Sequence, residues 1–335
     1  MTSSPLPLPI LDADLEARLR ARMVEVEEAL LGHVESEAAF VTKAARHLME
    51  AGGKRFRPLL CFLAAETAGG LSDEQVTDVL TAACVVELTH LASLYHDDVM
   101  DEAALRRGAE SANARWDNHV AILTGDFLFA RSSELTAALG PEAVLIQAQT
   151  FSRLVEGQIL ETLGPSETDD ALAHYLRVVA GKTGSLIATS ARYGAMFGGA
   201  DEEIVTALTE FGERVGVAFQ LSDDILDIAS ESDESGKTPG TDLREGVPTL
   251  PVLFALRSTD PADARLRELL SGDLSQDGPH AEALSLLRAH PAMMQARDYV
   301  SGEAAEGKKL LEALPQGPVR TALEAFADLV ADRTS

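Results

Sequence analysis

Residues 94–108 read LYHDDVMDEAALRRG, and three aspartates, Asp97, Asp98 and Asp101, fall in it at i, i+1 and i+4. On an α-helix, residues four apart share a face, so Asp97 and Asp101 form one stripe and Asp98 flanks it. Carboxylates this close repel one another unless cations hold them, and carboxylate oxygens with water are the ligands Mg²⁺ prefers. Arg106 and Arg107 follow, and their forked donors match phosphate oxygens. Read alone, such a stretch is either a solvated, charged helix end or half of a metal-bridged phosphate site.

A second copy decides between the two. Residues 219–227, FQLSDDILD, place Asp223, Asp224 and Asp227 at the same spacing. Leu221, Ile225, Leu226 and Ile228 pull that surface toward a core, where aspartates need partners. Two carboxylate triads on two helices suit one cluster of metal ions clamped from both sides.

Upstream of the first triad, residues 76–95 are apolar nearly all round, as in a buried helix. Ser72 and Gln75 form a capping box that opens it. Residues 35–51 read as an amphipathic helix ended by Gly52-Gly53. In GGKRFRP (52–58), Lys54, Arg55 and Arg57 sit on a turn into the next helix, where cations and free N–H groups make an anion cradle. Residues 119–139, 141–163 and 203–229 are helical by period, and the helix after the polar loop 164–170 ends at GKTG (181–184). Leu11, Leu15, Leu19, Met23, Val26 and Leu30 make an N-terminal stripe of core or dimer contacts. Prolines 5, 7 and 9 make residues 1–10 an extended arm. No alternating strand pattern rises above background, so the expectation is an all-α, single-domain bundle around a central cavity, spanning 1–335.

With 335 residues, 46% of them hydrophobic, the chain has material for a sizeable core. A net charge of −26 argues against nucleic acid or anionic membrane as an electrostatic partner. No run of eighteen uninterrupted apolar residues marks a membrane span, and the N-terminus lacks an export signal. Cys61 and Cys84, without a framework of spaced pairs, point to a reducing cytoplasm. Glu87 and His90 form an ExxH, the mark of di-iron bundles, but no second ExxH accompanies it.

In order and over most of its length, from about residue 30 onward, the chain resembles the trans-polyprenyl diphosphate synthases. The motifs are GGKRFRP, DDVMD with RRG (106–108), GKTG, FQLSDDILD and GKTPGTDLREGVPTLP (236–251). The resemblance implies an all-α isoprenoid synthase fold, a homodimer, and condensation of isopentenyl diphosphate with an allylic diphosphate. It implies Mg²⁺, three ions per site, held by Asp97, Asp101 and Asp223 with Asp98, Asp224 and Asp227 in support. It gives Lys54, Arg57, His90 and Arg107 to isopentenyl diphosphate, and Arg106, Lys182, Thr183, Gln220 and Lys237 to the allylic diphosphate. Asp242 also matches a family position, and Arg333 is placed to fold back on the site. Val247 stands where many members carry a lysine, which removes one cation from the allylic site.

Ala92 and Ser93, five and four residues before Asp97, are small where short-chain relatives carry a bulky aromatic. This predicts an open tunnel and a medium-to-long product, unless Phe127 or Phe129 supplies a floor; Phe151 is a further wall candidate. A short-chain farnesyl or geranylgeranyl diphosphate synthase is the alternative within the family. Two rivals stand outside it: a class I terpene cyclase, whose second motif mixes Asn, Ser or Thr with Glu, and a non-catalytic subunit of a heteromeric synthase, which lacks the aspartates.

Overall fold

The helix that carries the first acidic motif begins where the capping box expects it: the Ser72 side chain accepts from the Gln75 N–H and Gln75 accepts from the Ser72 N–H. The computed structural model describes residues 6, 8, 10–230 and 239–333. Through these the chain runs α1 (Ala13–His33), α2 (Ala39–Glu50), α3 (Phe56–Ala65), α4 (Asp73–Met100), the short strands β1 (Leu105–Arg106) and β2 (Ala109–Glu110), α5 (Ala112–Arg115), α6 (Asn118–Ala138), α7 (Pro141–Leu163), α8 (Ala171–Val179), α9 (Ser185–Gly198) and α10 (Glu202–Ala229). It continues with α11 (Thr241–Glu245), α12 (Leu250–Leu256), α13 (Ala264–Leu270), α14 (Asp277–Ala289), α15 (Pro291–Leu310) and α16 (Pro318–Asp332). The fold is all-α, as expected. The one departure among the described residues is the β1–β2 hairpin, too short to leave a period in the sequence.

The chain divides into two compact units. The first comprises Met1–Phe151, Leu186–Thr209 and Glu312–Leu323, and the second Ser152–Ser185, Glu210–Leu311 and Glu324–Ser335.

In the first unit α4 is the central element and packs most extensively against α6, and also against α3 and α1. Gly125 lets α6 approach closely, since a Cβ there would collide with the His96 ring and lie 3.1 Å from the Ala92 carbonyl oxygen. A buried polar layer fixes the helices in register: Thr89 bonds Ser132 at 2.9 Å, Gln147 donates to Thr89 at 2.6 Å, and Thr150 bonds Thr189 at 2.6 Å. By length and composition α4 passes as a membrane span, but most of its apolar stretch is buried within the protein. Leu15, Leu19, Val26 and Leu30 of the N-terminal stripe are buried, each contributing about 1.5–3 kcal/mol. Leu11 is 82% exposed, because the chain enters α1 only after the Asp12 cap.

In the second unit α12 packs on α15 and α8. The expected helix end at GKTG does not occur. A five-residue π-turn, Ala180–Gly184, links α8 directly to α9 in one helical run. Gly157 admits this turn, because a Cβ there would lie 2.7 Å from the Lys182 nitrogen.

Candidate active site

In the first unit, the loop before α3 bends through left-handed backbone at Gly52, Gly53 and Arg55 (φ 48°). Arg55 tolerates that conformation because its guanidinium is held on every side. It bonds Glu27 at 2.6 Å, Glu87 at 3.1 Å and the Met49 carbonyl at 3.0 Å, and it is buried. Arg107, also left-handed at φ 54°, donates to the carbonyls of Leu48 (3.0 Å) and Gly52. Lys54 is exposed and Arg57 half-buried. The Nε of Arg57 is buried without a hydrogen-bond partner among the described residues, a donor suited to an oxyanion.

The electrostatics follow from this crowding. Burial, with Arg107 adding repulsion against the pull of Glu87, brings Arg57 down to about 10, so it stays charged. Burial lowers Arg107 as well. Arg55 stays above its ordinary value because Glu87 and Glu27 outweigh the effect of burial. His90 is pushed well below the ordinary histidine range, first by burial and then by Arg57, Arg107, Arg55 and Arg106. It is therefore a neutral hydrogen-bonding group at neutral pH. Glu87, the acid of the ExxH, is spent on Arg55.

At the end of α4, Asp97 is half-buried and Asp101 is the exposed C-cap. Asp98 is fully buried. Its Oδ1 accepts from Arg106 Nε at 2.6 Å, and its Oδ2 has no partner among the described residues. Burial raises its pKa against the opposing pull of Arg106. The hairpin that delivers Arg106 turns at Arg107 and Gly108, both with positive φ.

The second unit brings Thr183, Gln220 and Asp224 together. Thr183 donates to Gln220 at 2.9 Å, Gln220 donates to Asp224 Oδ1 at 2.9 Å, and Tyr175 donates to Asp224 Oδ2. Burial lifts Asp224 to about 6, opposed by the Tyr175 and Gln220 hydrogen bonds. Asp223 pairs with Arg333 at 2.6 Å, and Arg333 also stacks over Phe219. Asp227 accepts from the backbone N–H groups of Thr241 and Asp242, tying down the segment after the motif. Lys182 pairs with Glu161 at 2.6 Å. Val247, half-buried, donates its N–H to the Asp242 carbonyl. Lys237 lies outside the described residues.

No group of three or more His, Cys, Asp or Glu side chains converges on a metal position among the described residues. Mg²⁺ binds through one or two carboxylates, keeps several waters and takes the rest of its shell from substrate phosphates. The all-oxygen donor set and the orphaned Asp98 oxygen fit such an ion.

A profile of polyprenyl synthetases matches residues 38–287, a range holding both acidic motifs and the cation-rich loop. The chain belongs to the polyprenyl synthetase family. It is thus a prenyltransferase. It is similar to the nonaprenyl diphosphate synthase of Mycobacterium tuberculosis, at 51% identity over 96% of this chain and 95% of that one. Among solved structures, it resembles geranylgeranyl pyrophosphate synthase from Corynebacterium glutamicum, complexed with calcium and isoprenyl diphosphate. There the TM-score is 0.86 and identity 45%, over 98% of this chain and 99% of that one. A decaprenyl diphosphate synthase from Rhodobacter capsulatus gives a TM-score of 0.86 and 36% identity, over 96% and 99% of the two chains. For this polyprenyl synthetase, sequence reasoning missed Tyr175 and misplaced Arg55, which is buried on Glu27 and Glu87 rather than open to an anion. Tyr175 carried one available signal, a hydroxyl in an apolar helix that needs a buried partner. Arg55 stood among three cations, with nothing local to mark it as the buried one.

Proposed function

We propose that the chain condenses isopentenyl diphosphate with an allylic diphosphate, head to tail, and repeats the step to release a medium-to-long all-trans polyprenyl diphosphate. One observation carries the reading: a cluster of arginines around a neutral histidine, with a buried unpaired Arg57 donor, in a chain that keeps both aspartate triads. A cyclase has no use for that cluster, and a silent subunit has none for the aspartates.

Lys54, Arg57, His90 and Arg107 hold isopentenyl diphosphate. Arg106, Lys182, Thr183, Gln220 and Lys237 serve the allylic diphosphate, and Asp97, Asp98, Asp101, Asp223, Asp224 and Asp227 are the candidate holders and supports of three Mg²⁺. Mg²⁺, when bound, neutralises the charge that develops on the departing diphosphate. The cationic side chains hold the same charge by electrostatics already in place. The allylic C1–O bond breaks, the isopentenyl double bond attacks C1, and a proton leaves to the released diphosphate, so no side-chain base is required.

A long product is favoured by the small side chains of Ala92 and Ser93, and by relatives named for nonaprenyl and decaprenyl products. Phe129 rests against Phe151, ring centroids 4.1 Å apart. The geranylgeranyl name of the Corynebacterium structure favours the short-chain alternative. A homodimer is supported by exposed apolar side chains along α7, namely Val144, Leu145, Val155, Ile159 and Leu163. We further assign one catalytic domain and a cytoplasmic setting, the latter supported by two buried, unpaired cysteines.

The test is incubation with Mg²⁺, isopentenyl diphosphate and dimethylallyl, geranyl, farnesyl or geranylgeranyl diphosphate, with product mass as the readout. A ladder of five-carbon increments ending beyond twenty carbons is expected. A product that stops at fifteen or twenty carbons selects the short-chain alternative, and no condensation with any starter overturns the assignment.

A further inference from the structure

The Gln220–Asp224 pair of the second acidic motif is gripped from outside its own helix at two points, and neither grip belongs to the motif. Tyr175 on α8 reaches across 49 residues of sequence to donate to Asp224 Oδ2. Thr183, in the π-turn that follows α8, donates to Gln220 Oε1 at 2.9 Å, and Gln220 Nε2 passes the contact on to Asp224 Oδ1 at 2.9 Å. Tyr175, Thr183 and Asp224 are all buried. Each Asp224 oxygen thus accepts from a neutral donor, an arrangement that fixes the orientation of the carboxylate. Asp223 and Asp227, one residue before and three after, sit on the same helix. Lys182 precedes Thr183 in the turn. One hydrogen-bonded chain, Tyr175–Asp224–Gln220–Thr183, therefore links the acidic helix to the backbone that carries the lysine.

The π-turn gives this linkage its geometry. It is a local departure from the α-helical ladder, of the kind retained at functional sites. Gly157 and Gly181 let it pack against α7, where a Cβ on Gly181 would lie 2.8 Å from the Arg153 carbonyl oxygen. Thr183 is the only residue of the turn with a hydroxyl, and that hydroxyl goes to Gln220.

We propose that Tyr175 is a positioning residue for the allylic-diphosphate half of the site. With Thr183 it holds Gln220 and Asp224 as a preformed clasp, so that Lys182, Asp223 and Asp227 meet the diphosphate as one unit, and Asp224 serves as the anchor. The proposal rests on the prenyltransferase reading above and assigns within it a residue that no motif contains.

Calorimetry with inorganic pyrophosphate and Mg²⁺, run beside steady-state kinetics on the full-length protein, tests it. Tyr175→Phe keeps the ring and removes the donor. We expect its pyrophosphate Kd and its KM for the allylic substrate to rise about tenfold, the effect of losing one hydrogen bond to a charged group. Its KM for isopentenyl diphosphate should stay within about twofold of wild type. Thr183→Val, at the other end of the chain, should give the same pattern. The double variant should lose less than the product of the two, because both act through Asp224. If Tyr175→Phe fails to fold, Thr183→Val alone decides the question. Unchanged pyrophosphate binding overturns the clasp, and so does an equal rise in both KM values, which marks general damage. If instead wild type binds no pyrophosphate and consumes no allylic substrate, the prenyltransferase reading is what fails.

Discussion

Arg55 Nη1 lies 3.1 Å from Glu87 Oε1, and both side chains are buried, at 6% and 2% exposure. This pair joins the loop before α3 to the middle of α4, and Lys54 and Arg57, proposed to hold isopentenyl diphosphate, flank Arg55 in sequence. Breaking a buried pair from one side leaves an uncompensated charge. Glu87→Gln is expected to lower unfolding free energy by about 3 kcal/mol in urea titrations and to raise the KM for isopentenyl diphosphate. A Glu87→Gln protein as stable as wild type would show that Glu27 alone suffices for Arg55.

Asp97→Ala and Asp223→Ala are each expected to abolish turnover and to leave the far-ultraviolet circular dichroism unchanged, since removing one of several crowded like charges does not harm the fold. Chelator should do the same reversibly. Retained turnover in either variant would refute the metal assignment.

Arg333 competes for Asp223 at 2.6 Å. Arg333→Ala should therefore lower the Mg²⁺ concentration that gives half-maximal rate, by roughly threefold for a half-buried pair of modest strength. A rise in that concentration would mean the tail assists binding instead.

His90 has its pKa depressed from 6.5 by burial and by its arginine neighbours. The unfolded chain takes up this proton as pH falls through 6.5, and the native chain does not. Its contribution to stability is thus complete above that pH and declines below it. His90→Gln should flatten the fall in urea midpoint between about pH 7 and about pH 5. An unchanged slope would place the protonation elsewhere.

Ala92 is fully buried where α6 approaches α4 at Gly125. Ala92→Phe should shorten the product while sparing the first condensation. The same product mass from Ala92→Phe would remove this position from chain-length control.

What the sequence shows depends on how local the cause is. The DDVMD and FQLSDDILD spacings, the capping box at Ser72 and the apolar run of α4 are visible because i, i+3 and i+4 neighbours produce them, and each forms as expected. The π-turn at GKTG is not visible, because a turn that continues a helix and one that ends it both use glycines; the packing against Gly157 selects the first. Tyr175 signals that its hydroxyl needs a partner, but not which one. Its partner is 49 residues away, and only tertiary packing brings the two together. Among Lys54, Arg55 and Arg57, charge and order do not say which is buried. The acids that bury Arg55 come from α1 and α4.

The crowding of Arg55, Arg57 and Arg107 around His90 also bears on how long each copy of the protein survives. Arg57 and Arg107 repel each other in the absence of substrate, and a diphosphate held as proposed removes that repulsion only from the native form. The filled enzyme is thus harder to unfold than the empty one, by an amount that grows with the logarithm of ligand concentration. A protease that cuts only opened chains is then expected to cut the empty enzyme faster than one supplied with its proposed diphosphate.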